Sequence, residues 1–353
     1  MARSSSFSLQ NLLLNRNLRF AVSFCGLLAT LWLLVFIYKR NALTESKIGS
    51  ISSTLLQQQQ QQQQQGYFKS RPAASQNPPD ELFLHYVRFK PDDADGVTLR
   101  FLDYLSVMSA VQRLKPDQIY LHADMEPTGK YWEELSNRGW IKYVHRVKNF
   151  TLTGRIKQLA HIYHVSDKTK LDILVEYGGI AIDWDVYFVR GERIRTYLRD
   201  HSALTCYGDQ DGYNLGLAGA WKTSRLLHAW RRSFQVIYSK DWNFNCGDVQ
   251  KYVSEIFAEE VYVVDRVCNN PHPDYQLTEF FQQTGKIHWT DSVAIHTYHR
   301  LWKNYFVSSP EDLKKAPPSD YKELLLTIYE NRTLPAEDVT FNDRVDPLAG
   351  IDF

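Results

Sequence analysis

The stretch HVSDKTKLDILVEYGGIAIDWDVYFVR, residues 164–190, decides how the rest of this chain is read. Leu171, Leu174 and Val175 form an apolar stripe at helical spacing, and Ser166 or Asp167 is expected to cap the helix. Asp167 and Lys170 stand three apart, on one helix face. Gly178-Gly179 ends the helix, because glycine takes a positive φ without steric cost. Ile180-Ala181-Ile182 then starts a strand apolar on both faces, as a central strand of a parallel sheet must be. It is expected to continue through Asp183-Trp184-Asp185 into Val186–Val189. Residues two apart on a strand point to one side, so the reading places both carboxylates on one face.

The carboxyl end of a central strand is where open α/β sheets bind ligands. Two carboxylates there repel each other and lose hydration, and a divalent cation relieves both. Oxygen ligands favour Mn²⁺ or Mg²⁺, which leave coordination positions for phosphate oxygens. Asp183 and Asp185 are therefore the candidate catalytic and metal-ligating pair.

Working outward, residues 82–89 read as a first strand and residues 99–114 as a helix. Lys115-Pro116-Asp117 breaks it before a second strand at 118–122. A helix near 131–137 and a short strand at 141–144 follow. Strands alternating with helices indicate a Rossmann-like α/β fold, a mainly parallel sheet flanked by helices.

Upstream, residues 20–38 (FAVSFCGLLATLWLLVFIY) hold nineteen residues without a charge, between Arg16/Arg19 and Lys39-Arg40. At 1.5 Å per residue such a run spans a hydrocarbon core of about 30 Å. It ends on large residues, not the small ones of a cleavage site, so it reads as an uncleaved signal-anchor. Residues 1–19 form a short cytoplasmic tail. Residues 39–77, with nine consecutive glutamines (Gln57–Gln65) and Pro72, Pro78 and Pro79 close by, read as a disordered Gln/Ser/Pro-rich stem. Residues 78–353 form the expected catalytic domain. Asn149-Phe150-Thr151 and Asn331-Arg332-Thr333 are glycosylation sequons, which places that domain in the lumen as a single-pass type II membrane protein, with the Golgi as its expected membrane.

A formal net charge of +1 gives no basic field, so nucleic acid is not an expected partner. Aromatic residues make up 14% of the chain, a supply that suits sugar stacking and core packing alike. Cys206, Cys246 and Cys268 form no zinc spacing; one disulfide with a free thiol, and three thiols, both fit. His161/His164 and His296/His299 lack an HExxH context and are poor zinc candidates.

The run Asp167-x-x-Lys170-x-x-x-Leu174-x-x-Tyr177-Gly178-Gly179-x-x-x-Asp183-x-Asp185 resembles the signature of the "DXD sugar-binding" glycosyltransferases. That group includes the α-1,4-galactosyltransferases and the fungal initiating α-1,6-mannosyltransferase. The likeness extends over most of residues 78–306, through Leu84-His85-Tyr86, Asn214 with the Leu-Gly-Leu-Ala after it, and Val293-Ala294-Ile295-His296. Lys170 stands where the family usually has Arg, and Ala181 where Tyr is common.

The resemblance implies a GT-A fold, a nucleotide-sugar donor (a UDP- or GDP-hexose), Mn²⁺, a glycan or glycolipid acceptor, and retention at the anomeric carbon. It assigns Asp167, Lys170, Tyr177, Gly178, Gly179, Asp183 and Asn214 to the donor site, and Asp185, Asp183 and His296 to the metal. Two other readings are a membrane-anchored carbohydrate-binding pseudoenzyme with the same fold and a metal-dependent phosphohydrolase. The latter needs more ligands around its metals than this sequence offers.

Overall fold

The computed structural model describes residues 80–153, 158–208, 213–265, 267, 270–301, 307–338, 340 and 342–348, all within one compact unit, Gln76–Phe353. The tail, anchor and stem expected at 1–19, 20–38 and 39–77 lie outside the described residues, as does Cys268. Among the described residues no helix is long and apolar enough to cross a membrane.

The first half alternates strand and helix as expected. It runs β1 (Phe83–Arg88), α1 (Phe101–Ser109), β2 (Gln118–Ala123), α2 (Lys130–Asn137), β3 (Lys142–His145), α3 (Ile162–Tyr177) and β4 (Gly179–Ile182). Helix α1 finishes in a π turn, Ala110–Leu114, closed by Lys115 at φ +53°. The chain continues through β5 (Val186–Phe188), α4 (Arg193–Asp200), β6 (Ala203–Tyr207), β7 (Tyr213–Ala220), α5 (Arg225–Val236) and a second π turn, Phe244–Asp248. It then forms α6 (Val249–Ile256), β8 (Val261–Val264), α7 (Leu277–Gln282), β9 (Ala294–His296), α8 (Pro310–Lys315), α9 (Asp320–Tyr329) and β10 (Arg344–Val345).

Among the described residues, eight strands form one sheet in the order β10-β8-β6-β7-β4-β1-β2-β3, while β5 and β9 pair separately. Strand β1 is parallel to β2 and β4, β2 to β3, and β6 to β8. Strand β7 runs antiparallel to both β4 and β6, and β10 to β8. The sheet is thus mostly parallel but mixed, and β4 has a parallel neighbour on one side only. From β1 the chain moves to β2 and β3 on one side and returns to β4 on the other. The carboxyl ends of β1 and β4 therefore flank the topological switch point, where such sheets open a crevice.

Three local expectations need correction. Helix α3 begins at Ile162 with His161 at its N-cap in extended conformation, so Ser166 and Asp167 sit inside the helix instead of capping it. Ser166 bonds back to the Ile162 carbonyl at 3.2 Å. The strand after Gly179 stops at Ile182, and Asp183-Trp184-Asp185 forms a turn. Beyond it, Val186–Phe188 leaves the main sheet to pair with β9.

Between α3 and β4, Gly178 and Gly179 adopt φ +72° and +93°. A Cβ on Gly179 would lie 2.4 Å from the Phe83 carbonyl oxygen. This glycine pair sets how closely β4 approaches β1. Replacing Gly179 with Ala should cost about 2 kcal/mol or more, from the positive φ and the backbone overlap together. Gly178→Ala, whose nearest neighbours stand at 3.4 Å, should cost less. Denaturant midpoints compare the two; a neutral Gly179→Ala would contradict this approach.

Beneath the same turn, His85 Nδ1 lies 3.1 Å from His122 Nε2, and His85 Nε2 lies 3.0 Å from the Gly178 carbonyl. Tyr120 and Tyr177 close around the pair. Burial, opposed at His85 by the Gly178 carbonyl, lowers His85 to about 4, and burial with the neighbouring His85 lowers His122 to about 3. Both histidines bind protons more weakly folded than unfolded, so their stability contribution is present above pH 6.5 and is lost as pH falls through their folded values. The melting temperature should drop between about pH 6.5 and 5, before most carboxylates titrate. The drop should shrink in His122→Asn; an unchanged slope would assign it elsewhere.

Candidate metal and donor site

Helix α3 brings Lys170 to the crevice with its side chain 3% exposed. A buried ammonium needs negative partners. It donates to Asp183 Oδ1 at 2.5 Å and to the Leu215 carbonyl at 3.1 Å, and stands 3.5 Å from Asp167 Oδ1. Burial alone would lower Lys170, but the Asp183 and Asp167 carboxylates raise it above its ordinary value, so it stays charged. Asp167 is raised to about 6, burial outweighing the attraction of Lys170. The two face each other as the spacing predicts, but in the wall of a cavity and not on an open surface.

The turn between β4 and β5 is tied at each position. Asp183 N donates to the Gly216 carbonyl at 2.9 Å, extending the β4–β7 ladder by one bond. The Trp184 indole donates to the Val87 carbonyl at 3.0 Å, packs on Tyr86, and carries the Arg88 guanidinium 4.3 Å above its ring. Asp185 is held by the segment after β9. Its carbonyl accepts from Thr297 N and Oγ1, and its Oδ2 accepts from His299 N at 3.1 Å.

Each carboxylate therefore spends one oxygen on the protein and turns the other toward His296. Nε2 of His296 lies 3.2 Å from Asp185 Oδ1 and 4.0 Å from Asp183 Oδ2. Among the described residues, these three offer ligand atoms that all lie within 4.8 Å of one another. An octahedral ion with ligands at ~2.1 Å places neighbouring ligands about 3 Å apart, so the spacing suits one small divalent cation. Two carboxylate oxygens and an imidazole nitrogen form a donor set that Mn²⁺ accepts readily. Burial would raise the Asp185 carboxyl, yet His296 and His299 hold it well below the usual range, leaving it ionised.

His296 is oriented by its surroundings. Tyr298, at φ +50°, stacks on its ring with centroids 4.0 Å apart. On another side the backbone of Gly216 approaches so closely that a Cβ would lie 2.6 Å from Nδ1. Asn214 accepts from Gly216 N at 2.6 Å and reaches toward Tyr298 OH at 3.4 Å, so this residue of β7 shapes the bend beside the histidine. His299 is used otherwise: its ring pairs with Tyr321 OH at 2.8 Å, and burial lowers it to about 4.

The two carboxylates, His296 and Tyr298 line a cavity of about 260 Å³, together with Val87, Tyr163, Trp242, Cys246 and Arg300. Of the expected site residues, Asp167, Lys170, Asp183, Asp185, Asn214 and His296 meet there. Tyr177, Gly178 and Gly179 do not line it; they pack around His85 and shape the turn into β4. Sequence reading missed Gly216, Tyr163, Trp242 and Arg300. Gly216 stands inside the run Asn214-Leu-Gly-Leu-Ala, Tyr163 directly before residues 164–190 and Arg300 four positions after His296, whereas Trp242 has no such neighbour. Cys206 is disulfide-bonded and Cys246 is a free thiol, so one disulfide with a free thiol is the outcome. Burial, reinforced by the Asp167 charge, keeps Cys246 protonated. Asn149 and Asn331 are both exposed.

No family model matches the chain. A curated relative, "Glucan organizing enzyme 1" of Cryptococcus neoformans var. grubii, is 31% identical over 110 residues. The match takes in 30% of this chain and only 29% of that protein's length. Among solved structures, the galactosyltransferase LgtC in complex with donor and acceptor sugar analogues superposes with a TM-score of 0.35 at 14% identity, over 72% of this chain and 98% of that one. The apo glycosyltransferase GlyE of Streptococcus pneumoniae TIGR4 gives 0.39 at 10% identity, over 71% and 64%. The bifunctional WbbM apo structure gives 0.38 at 10%, over 74% and 53%. Likenesses this shallow assign no chemistry, which rests on the site's own geometry.

The close approach of Gly216 gives a test of the orienting role. Gly216→Ala should displace His296 and weaken Mn²⁺ binding about 10- to 100-fold, the usual range for groups that orient a ligand. Titration calorimetry on the purified protein measures it. Unaltered affinity would remove His296 from the ligand set.

Proposed function

We propose that this chain is a metal-dependent, retaining glycosyltransferase that moves a hexose from a UDP- or GDP-sugar to a glycan or glycolipid acceptor. The observation that carries the reading is the convergence of Asp183 Oδ2, Asp185 Oδ1 and His296 Nε2 at the switch point of a mostly parallel sheet. It is supported by the signature around Asp167, Lys170 and the Asp-Trp-Asp turn. The name of the partly matching relative is in keeping with a glycan acceptor.

In this reading Asp185, Asp183 and His296 hold Mn²⁺ (or Mg²⁺). The ion supplies charge neutralisation for a departing nucleoside diphosphate. Lys170 fixes Asp183 through one oxygen and leaves the other free for the ion or the donor's ribose or sugar. Asp167 is placed to accept a hydroxyl of the donor sugar, and Lys170 adds positive charge beside the phosphates. Asn214 sets the backbone bend that keeps the imidazole turned toward the carboxylates. No covalent nucleophile is assigned; the leaving group and the incoming hydroxyl share one face of an oxocarbenium-like sugar. The charge-free run at 20–38 and the two sequons support a type II Golgi anchor with residues 78–353 in the lumen, glycosylated at Asn149 and Asn331.

Asp185→Asn is nearly isosteric and removes one negative charge from the ligand set. It should abolish transfer and weaken both Mn²⁺ and nucleoside-diphosphate binding, while the metal-free protein still folds, its melting temperature lowered modestly by loss of the charge that His296 and His299 face. Assays of donor hydrolysis with Mn²⁺, alongside metal-free melting, read all three. Near wild-type transfer by this variant would overturn the metal assignment and the mechanism with it.

A further inference from the structure

One wall of the cavity is left idle by the donor chemistry above. Tyr163 on the first turn of α3, Trp242 just before the second π turn, and Arg300 after β9 arrive from three separate parts of the chain. The Tyr163 and Trp242 ring centroids lie 3.7 Å apart at 48°, and the Arg300 guanidinium carbon stands 3.8 Å from the Trp242 ring. Trp242 is 43% exposed, although a tryptophan used for core packing is mostly covered. Arg300 is exposed, and no ion pair with a carboxylate is found for it among the described residues. The three side chains thus brace one another while presenting aromatic carbon and unused guanidinium N–H groups to the space beside Asp183 and Asp185.

That pairing of surfaces matches a sugar ring. A pyranose has an apolar C–H face, which packs on aromatic carbon, and a rim of hydroxyls, which accept from a guanidinium. In the proposed reading the nucleotide lies toward the strand ends. The crevice at the carboxyl ends of β1 and β4 is bordered by Val87, Arg88 and Trp184, whereas none of the three wall residues comes from a parallel strand.

We propose that Tyr163, Trp242 and Arg300 form the subsite for the acceptor sugar, with Trp242 as its platform and Arg300 as its hydroxyl donor. The inference rests on the glycosyltransferase reading and deepens it. The mutual stacking fixes Trp242 and Arg300 before substrate arrives, so little side-chain freedom is lost on binding. The wall faces the cavity that holds the metal ligands, so a hydroxyl of a ring seated there is directed at the donor.

The test uses the full-length protein in a detergent without a sugar headgroup, with Mg²⁺ present. The probes are the methyl α-glycosides of glucose, mannose and galactose, followed by saturation-transfer NMR, and UDP and GDP, followed by calorimetry. At least one glycoside should receive saturation, strongest on the protons of one ring face. Trp242→Ala should weaken that glycoside about tenfold, or ~1.4 kcal/mol, Trp242→Phe by less, and Arg300→Ala measurably. Nucleotide affinity should stay within about twofold in all three, which also reports that they fold. The proposal is overturned if no glycoside binds the parent protein, or if Trp242→Ala binds it as well as the parent. It is also overturned if Trp242→Ala loses nucleotide affinity while keeping the glycoside, which would hand the wall to the donor. A parent protein that binds neither nucleotide nor divalent metal sinks the glycosyltransferase reading first, and this inference with it.

Discussion

Lys170 carries a full positive charge into a place where only 3% of its side chain meets solvent, and the site is arranged around that fact. Its three bonding partners belong to different parts of the fold: Asp167 to its own helix, Asp183 to the turn after β4, and Leu215 to β7. A charge so placed cannot be left without partners, so helix, turn and antiparallel strand are held in one relation. The ammonium takes one oxygen of Asp183 and leaves its neighbour free. Asp185 is halved in the same way by the backbone of His299. A pair of carboxylates that would otherwise repel is thereby presented as two single oxygens at controlled spacing. The ammonium is also a compact point charge, which fits between two carboxylates and a carbonyl where a planar guanidinium would need a different set of partners.

Much of the fold was legible because it is written in local patterns. The apolar stripe of α3, the glycine pair after it and the alternation of strands with helices each depend on neighbours a few positions away. The misreadings came where distant partners decide. Pleating would have carried β4 through Asp183 and Asp185, but a strand lasts only as long as its ladder. The last rung here is Asp183 N to the Gly216 carbonyl, after which Trp184 turns to the Val87 carbonyl instead. The two carboxylates do face the same way, though a turn and not a strand aligns them. The helix start was misplaced because capping rules look for a serine or aspartate, and His161 begins α3 with no side-chain cap at all.

Within the site, the residues that were legible are those with a charge that asks for explanation: Asp167, Lys170, Asp183, Asp185 and the histidine at the end of β9. Gly216 stands in the Asn214-Leu-Gly-Leu-Ala run, but its role was not legible there, because it is a missing Cβ beside a ring far along the chain, that of His296. Trp242 was silent for a different reason. In a chain with nine tryptophans, nothing local distinguishes one that lines a cavity from one that packs the core, such as Trp230. Tyr177 sits in the signature, and its ring stands in the cluster with Tyr120 and His122, apart from the cavity.

The pairing of β5 with β9 has a bearing on how the protein comes to be made. Asp185 and the backbone amide that fixes it lie 114 positions apart. At about 5–20 residues per second, the interval between their syntheses is on the order of ten seconds. Helix α3 and β4 have upstream neighbours in β1 and β2 and can organise early, whereas Lys170 gains its last partner only with Leu215 of β7. The imidazole and the amide of His299 reach the carboxylates only when a long loop closes, which is the slow part of assembling such a topology. Until then the nascent chain has the two carboxylates without the imidazole that completes the cluster. In the metal-dependent reading proposed above, tight capture of the ion would thus be a late event of biogenesis, set by the compartment in which β9 finally docks.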